Sequence, residues 1–270
     1  MKNLLFKCCF DGRNYHGYQV QQNALTVTEV LQDAIETVTG RRDGIVGCSR
    51  TDAGVHANEY FFNMRTEGNI PPERFVRALN RVLPPDVVLL GCREVPWGFH
   101  ARYHAEGKQY LYKLYNTEFR NPFYEGLAYY YHRPVDVVLL NHAAKCFLGT
   151  HDFAGFSNTG SKIRDTVRTL SQFDVEQHGD MICFTVTGNG FLYNMVRILV
   201  GTLLQVNEGR LPESSLDEVL ASCDRHRAGK TAPPQGLYLN RVFYPPSVFE
   251  EENERLLSGK STFETDKRRV

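Results

Sequence analysis

The sequence predicts an α+β fold built from two halves that share the element order βαββαβ. Segments with strand patterning alternate with amphipathic helical segments, and the same order of elements occurs twice along the 270 residues. A βαββαβ unit packs two helices on one face of an antiparallel sheet, so each half is expected to be ferredoxin-like. Because no sequence repeat accompanies the duplication, this prediction depends on the order of elements alone.

The first half opens with an apolar strand over 4–10, which a turn at FDG ends. A helix follows, because Thr26 and Glu29 fit a capping box, apolar residues recur on one face, and Gly40 is a typical stop. The remaining predicted elements are strands over 44–48 and 59–65, a helix that begins at Pro71 and Pro72 and ends before Pro84 and Pro85, and a strand over 87–94.

The second half repeats this order. Its predicted elements are a strand over 109–116, a helix over 136–148 that Gly149 ends, hairpin strands over 166–176 and 181–188, a helix over 191–206, a short helix over 215–222 and a strand over 237–244. We therefore expect an amino-terminal half over 1–105, a carboxy-terminal half over 106–245 and a polar tail over 246–270. Two adjacent sheets leave a cleft between the halves, which is a favoured place for a substrate site.

The composition favours an ordinary globular protein, with 42% hydrophobic and 23% charged residues. The apolar run at the amino terminus is interrupted by Lys7 and Asp11, so neither a signal peptide nor a membrane span is expected, and a cytoplasmic location follows. Seven cysteines occur without a CxxC pair and without histidines at ligand spacing. We expect neither a disulfide framework nor a metal site.

The charge is balanced, with 31 basic and 31 acidic residues. At face value this argues against a polyanionic partner, because binding to phosphates depends on lysine and arginine. The balance is uneven along the chain, however, since acidic residues gather near the carboxyl end. A basic cleft is compatible with a neutral protein because the central part of the chain holds Arg93, Arg102, Arg164, Arg168 and Arg197.

The segment SRTDAGVHA, over 49–57, is polar and lies between two predicted strands. Asp52 close to Gly54 is a common turn, and spacing alone favours a structural loop. Asp-Ala-Gly is also similar to the loop of aspartic proteases, but that chemistry needs two carboxylates that share a proton. The nearest candidate for a second copy, Asn-Thr-Gly over 158–160, has no acid, which argues against a protease.

Two other segments are weak candidates for phosphate binding. GFSNTGSK, over 155–162, approaches the phosphate loop GxxxxGK[ST] but inverts its last pair and precedes a hairpin rather than a helix. GNG, over 188–190, opens a predicted helix whose amino end could receive a phosphate, although a plain turn is the favoured interpretation.

Six segments in order resemble the tRNA pseudouridine synthase A (TruA) family, and together they extend through most of the chain. They are FDGRNYHGYQVQ, SRTDAGVHA, FHARYHAEGKQYLYKLYN, GTHDFAGF, FLYNMVRILVGTLL and TAPPQGLYL. The resemblance implies the pseudouridine synthase fold, in which two ferredoxin-like halves form a continuous antiparallel sheet around a central RNA-binding cleft.

The resemblance also implies roles for particular residues. Asp52 matches the catalytic aspartate, Tyr110 the active-site tyrosine, and Arg197 the arginine that pairs with the aspartate. Arg50 and Arg102 match basic positions near the RNA, and Tyr110 is expected to contact the substrate too. The chain departs from the family pattern at two positions, because Tyr18 stands where many members have tryptophan and Ser49 where many have glycine.

The implied reaction is isomerisation of uridine to pseudouridine at uridines 38, 39 and 40 in the anticodon stem-loop of tRNA, by a homodimer that needs no cofactor or metal. A carboxylate must start it, either as a nucleophile or by removing a proton, and a buried aspartate needs a cationic partner to stay ionised. An aromatic face can hold the detached base by stacking and assist proton transfer.

The residues alone are also compatible with interpretations other than catalysis. Without the resemblance, Arg197 is a surface or phosphate contact at a helix end, and Tyr110 is one of several aromatic residues on a strand. Two other functions also stay open: the same isomerisation on another RNA, such as ribosomal RNA, and a non-catalytic RNA-binding module.

Overall fold

The computed structural model describes residues 1–158 and 165–249, and it has the predicted α+β class. Within those residues the helices are α1 (Val27–Thr39), α2 (Pro72–Asn80), α3 (Val137–Ala144), α4 (Met195–Asn207) and α5 (Leu216–Ala221). The strands are β1 (Lys2–Phe10), β2 (Ile45–Gly47), β3 (His56–Thr66), β4 (Val87–Val95), β5 (Gly107–Tyr115), β6 (Tyr129–Tyr130), β7 (Gly149–Asp152), β8 (Val167–His178), β9 (Met181–Gly188) and β10 (Leu237–Phe243).

All ten of these strands belong to one sheet, whose main path is β4-β1-β3-β10-β5-β9-β8-β7. Short β2 pairs with β3, and β6 pairs with β5. The order of strands across the sheet is β4-β1-β3-β2 in the first half and β10-β5-β9-β8 in the second. When the four strands of each half are numbered along the chain, both orders are 4-1-3-2, which is the order of a ferredoxin-like unit. The predicted fold class, with ferredoxin-like strand orders in one continuous sheet, is confirmed.

The halves join through β10, which lies between β3 and β5. Its pairing with β5 is antiparallel, but its short pairing with β3 is parallel, with Tyr238 opposite His56 and Leu239 opposite Ala57. The sheet is therefore antiparallel within each half along its main path and parallel at the junction. The loop that carries Asp52 leads into the same end of β3, so this carboxylate lies where the halves meet.

Helix α1 begins and ends where the sequence predicts. The hydroxyl of Thr26 accepts a hydrogen bond from the backbone amide of Glu29, which satisfies one of the free amides of the first turn. Gly40 adopts the left-handed conformation, with φ of 71°, and its amide donates to the carbonyl of Glu36. The cap and the stop read from the sequence are both confirmed.

The core of the first half is aromatic. Phe6 of β1 stacks on Phe62 of β3 with ring centroids 4.9 Å apart, and Phe75 of α2 meets Phe6 edge-on. In the second half, α4 is buried along almost its whole length, so it packs as a central helix rather than as an amphipathic surface helix. Its amino end approaches the junction of the halves, where Arg197 lies.

Two predicted helices differ from the structure in their bounds, and a strand after one of them was missed. The helix predicted over 191–206 begins only at Met195. Asn194 has a left-handed backbone with φ of 61°, which prevents the helix from starting earlier. The helix predicted over 136–148 is α-helical only to Ala144 and ends in a tighter 3-10 turn over Lys145–Phe147. The residues after it form β7, a strand that the prediction missed because it is only four residues long.

The start of the predicted tail packs on the first half. The ring of Phe249 lies 6.2 Å from that of Phe61, and Arg93 donates to the carbonyl of Val248 at 2.9 Å. Arg93 of the predicted arginine cluster therefore holds this segment, while Arg164 lies outside the described residues. The same is true of the end of the GFSNTGSK segment and of residues 250–270.

Candidate active site

The loop that carries Asp52 is held by the segment that follows β1. The amide of Tyr18 donates to the carbonyl of Thr51 at 3.2 Å, and the amide of Gly54 donates to the carbonyl of Tyr15 at 3.1 Å. Gly17 makes this approach feasible, because a Cβ at that position would lie 2.4 Å from the carbonyl oxygen of Thr51. The loop is thus a fixed support for a side chain rather than a simple hairpin turn.

Asp52 forms an ion pair with Arg197, which comes from the first turn of α4 in the other half. Nη1 of Arg197 lies 3.2 Å from Oδ2 of Asp52, and the two side chains are only 14% and 24% exposed. Nη1 also donates to Oδ1 of Asn194 at 2.7 Å, and Nε donates to the carbonyl of Ala232 at 2.7 Å. The guanidinium is therefore held by three contacts, of which the one with Asp52 crosses the junction of the halves.

The carbonyl of Ala232 is fixed because the segment 228–232 lies directly against α4. The hydroxyl of Thr202 accepts a hydrogen bond from the amide of Gly229, and the amide of Ala232 donates to the carbonyl of Arg197. Gly201 permits the contact, since a Cβ there would lie 1.7 Å from the carbonyl oxygen of Lys230. The segment TAPPQGLYL therefore packs against the amino end of α4 and helps to hold Arg197.

Burial and the ion pair act on Asp52 in opposite directions. Loss of hydration raises the pKa of the carboxyl, while the charge and the hydrogen bond of Arg197 lower it, and the net pKa is above the usual value. Removal of Arg197 would leave only the first effect. The arginine is therefore the group that favours the ionised carboxylate in this buried place.

Tyr110 lies on β5 and is linked to the Asp52 loop through Ser49. Its hydroxyl is 3.2 Å from Oγ of Ser49, and Phe191 meets its ring edge-on at 4.9 Å. Burial raises the pKa of the phenol well above its usual value, and the charge of Asp52 adds to that rise. Tyr110 therefore stays a neutral phenol over the physiological pH range.

Arg50 and Arg102 are exposed and lie on loops. Arg50 is adjacent to Ser49, and the guanidinium of Arg102 lies 5.9 Å from the ring centre of Tyr103. Both side chains are open to solvent, and neither takes part in the ion pair of Asp52 with Arg197.

The structure adds residues to which the sequence prediction gave no role in the site. Asn194 binds Arg197, Ser49 binds Tyr110, and Lys108 is a partly buried lysine on β5. Burial lowers the pKa of Lys108, and the nearby charges of Arg102 and Arg168 lower it further. Arg102 and Arg168 therefore lie close enough to Lys108 to act on its charge. The GKQY and YNMVR segments contain two of these residues, but nothing in the letters indicated their contacts.

A cavity of about 840 Å³ lies away from this site, on the sheet face of the first half that carries Leu5 and Lys7. It contains none of the predicted site residues, so the constellation around Asp52 is the better candidate for chemistry. In the parts of the chain that the structure describes, no cluster of three histidine, cysteine, aspartate or glutamate side chains could hold a metal ion. Within the same residues, no helix is long and apolar enough to cross a membrane.

The sequence model of the tRNA pseudouridine synthase family matches residues 9–104 and 143–245. The chain belongs to this family. Curated relatives named tRNA pseudouridine synthase A include those of Acetivibrio thermocellus, at 43% identity, and of a Thermoanaerobacter species, at 44%. Each alignment covers 90% of this chain and 100% of the relative. Among solved structures, a chain of a Cbf5-Nop10-Gar1 complex aligns at 10% identity, with a TM-score of 0.37 that is too low to support an argument.

Proposed function

We propose that this protein isomerises uridine to pseudouridine in tRNA, at uridines 38, 39 and 40 of the anticodon stem-loop. The observation that carries the proposal is the partly buried pair of Asp52 and Arg197, which joins the two halves of a chain that belongs to the tRNA pseudouridine synthase family. The reaction breaks the bond between C1′ and N1 and forms one between C1′ and C5. C5 loses a proton and N1 gains one, so nothing is consumed.

Asp52 starts the reaction, as a nucleophile or as the base that removes a proton from the sugar. Its Oδ2 is bound by Arg197, whereas its Oδ1 accepts no hydrogen bond from any residue that the structure describes. One carboxylate oxygen is thus oriented by the arginine and the other is free to meet the substrate. Arg197 acts by keeping this buried carboxylate ionised and aimed.

Tyr110 holds the detached uracil by stacking and takes part in the loss of the C5 proton. The phenol is neutral at physiological pH, so its ring presents an uncharged aromatic face, which is compatible with stacking. A phenolate at this position would be costly, so proton transfer through Tyr110 requires the proton to pass onward to another group.

Arg50, Arg102 and Tyr110 bind the substrate, the arginines through phosphates and the tyrosine through the base. Recognition of phosphates and of overall shape suits a folded RNA better than recognition of a linear sequence. We also propose that the protein acts in the cytoplasm as a homodimer in which one subunit helps to hold the tRNA bound at the other.

The test is pseudouridine formation on unmodified tRNA by the purified protein and by Asp52→Asn. We expect pseudouridine in the anticodon arm with the wild-type protein and none with the variant. Asp180→Asn, which changes an exposed aspartate in the turn between β8 and β9, is the matched control and should be fully active. Formation of pseudouridine by Asp52→Asn at the wild-type rate would exclude the proposed role of this residue.

The choice of RNA is tested separately, by mapping pseudouridine in all RNAs of cells that lack the gene. Loss confined to the anticodon arm of tRNA supports the proposal, whereas loss in ribosomal RNA would move the activity to that substrate. Binding of tRNA without any isomerisation by the wild-type protein would indicate a non-catalytic RNA-binding module.

A further inference from the structure

Asn194 precedes the first turn of α4 and departs from the usual behaviour of a helix cap. Cap residues normally have an extended backbone and accept a hydrogen bond from an amide of the first turn. Asn194 instead has φ of 61° and ψ of 8°, and its side chain makes no such bond. The residue therefore forgoes a common stabilisation and adopts a backbone that favours glycine.

The side chain of Asn194 is used by Arg197. Its Oδ1 accepts from Nη1 at 2.7 Å, which is shorter than the 3.2 Å from the same nitrogen to Oδ2 of Asp52. Nε of the arginine is held by the carbonyl of Ala232 at 2.7 Å. Because a guanidinium is planar, two directional bonds on different nitrogens fix its orientation and leave its pairing with Asp52 as the third contact.

The local electrostatics add to the cost of this arrangement. Arg197 lies in the first turn of α4, where a positive charge faces the positive end of the helix dipole, and no acidic residue occurs in that turn. Three unfavourable features therefore occur within residues 194–197. Asn194 has a left-handed backbone, its side chain does not cap the helix, and Arg197 places a positive charge at the positive end of the helix dipole. Costs concentrated in this way are typical of sites where geometry serves function.

We propose that Asn194 is a positioning residue, which holds the Arg197 guanidinium in the orientation that pairs with Asp52. This inference rests on the proposed function, because its effect is measured on the isomerisation. The alternative is that asparagine is present only because it tolerates the left-handed backbone. Glycine tolerates that backbone better and lacks the oxygen, so it separates the two explanations.

The first experiment compares Asn194→Gly with Asn23→Gly. Asn23 has the same φ of 61° and lies outside the site, so it controls for the change of backbone freedom. We expect Asn194→Gly to keep a melting temperature at or above that of the wild type, while kcat falls about tenfold, as for loss of a hydrogen bond to a charged group. KM should stay within about twofold, and Asn23→Gly should keep the wild-type kcat.

The second experiment uses the pH profile of kcat. Asn194→Asp keeps an acceptor oxygen but adds a second carboxylate to the same guanidinium, so it should raise the pKa of Asp52. The acid limb of the profile then moves to higher pH, and activity recovers as the pH is raised. If asparagine is present only because it tolerates the left-handed backbone, the acid limb stays where it is in the wild type.

The inference is overturned if Asn194→Gly retains both the kcat and the acid limb of the wild type. It is also overturned if activity falls only in proportion to a lowered melting temperature, since that result indicates a structural role. A wild-type protein that forms no pseudouridine in tRNA would instead refute the proposed function, so the two failures are distinguishable.

Discussion

Replacement of Arg197 by methionine removes the cationic partner of the partly buried Asp52 carboxylate while retaining an unbranched side chain. The variant loses the contacts of Arg197 with Asp52, Asn194 and the carbonyl of Ala232. Burial then acts alone on Asp52, whose pKa rises further above its usual value because no positive charge opposes the loss of hydration.

The expected magnitude follows from the contact with Asp52. A hydrogen bond to a charged group contributes about 1.5–3 kcal/mol, and each 1.4 kcal/mol changes a rate about tenfold. Arg197→Met should therefore lower kcat by about 10- to 100-fold near neutral pH. The kcat of Arg197→Lys should lie between those of Arg197→Met and the wild type, because lysine restores the charge but not the planar set of donors.

The assay is the single-turnover rate of pseudouridine formation on unmodified tRNA, measured as a function of pH. A carboxylate that must be ionised gives a rate that falls on the acid side, so a higher pKa of Asp52 moves this limb to higher pH. The reasoning is refuted if Arg197→Met slows the reaction equally at every pH, or if Arg197→Lys is no better than the methionine variant.

Three further predictions concern the support of the site. Ser49→Ala removes the hydroxyl contact of Tyr110 and should lower kcat about fivefold, as for a neutral hydrogen bond of about 1 kcal/mol; an unchanged single-turnover rate would mean that this contact does not position the phenol. Gly17→Ala should lower the free energy of unfolding, measured in urea, by about 1–3 kcal/mol. The loss should be smaller for Gly40→Ala, because Gly40 has the same left-handed backbone but open space where the Cβ would lie. Equal losses would show that the backbone around Gly17 moves away from the added Cβ at little cost. The pKa of His56 is lowered by burial, so the neutral form is favoured in the folded state and stability should fall as the pH drops below the ordinary value of 6.5; the same fall in His56→Gln, measured by chemical unfolding, would assign it to other groups.

The fold was predictable from the sequence because its elements carry strong local signals. The cap at Thr26 and the stop at Gly40 fix α1 to the residue, and the alternation over β9 gives its bounds correctly. The start of α4 was not predictable from periodicity, because the apolar pattern continues through Leu192 and only the backbone of Asn194 interrupts it. The parallel junction of β10 with β3 is a contact between distant segments and leaves no local pattern.

The candidate site was predictable only in part. Spacing alone left Asp52 as a turn residue, and the resemblance of several segments to one family singled it out together with Tyr110 and Arg197. The structure brings Asp52 and Arg197 into an ion pair and links Tyr110 to their loop through Ser49. The contact of Ser49 with Tyr110 forms only after the halves assemble, and the contact of Asn194 with Arg197 depends on the left-handed backbone of Asn194, so no pattern in the letters could indicate either.

Release of tritium from tRNA labelled at C5 of uridine reports directly on the step in which C5 loses its proton. We expect the wild-type protein to release tritium from the anticodon arm, and Asp52→Asn to release none while it still binds the same tRNA with similar affinity. Release by Asp52→Asn at the wild-type rate would contradict the account, because the carboxylate held by Arg197 would then have no part in the reaction.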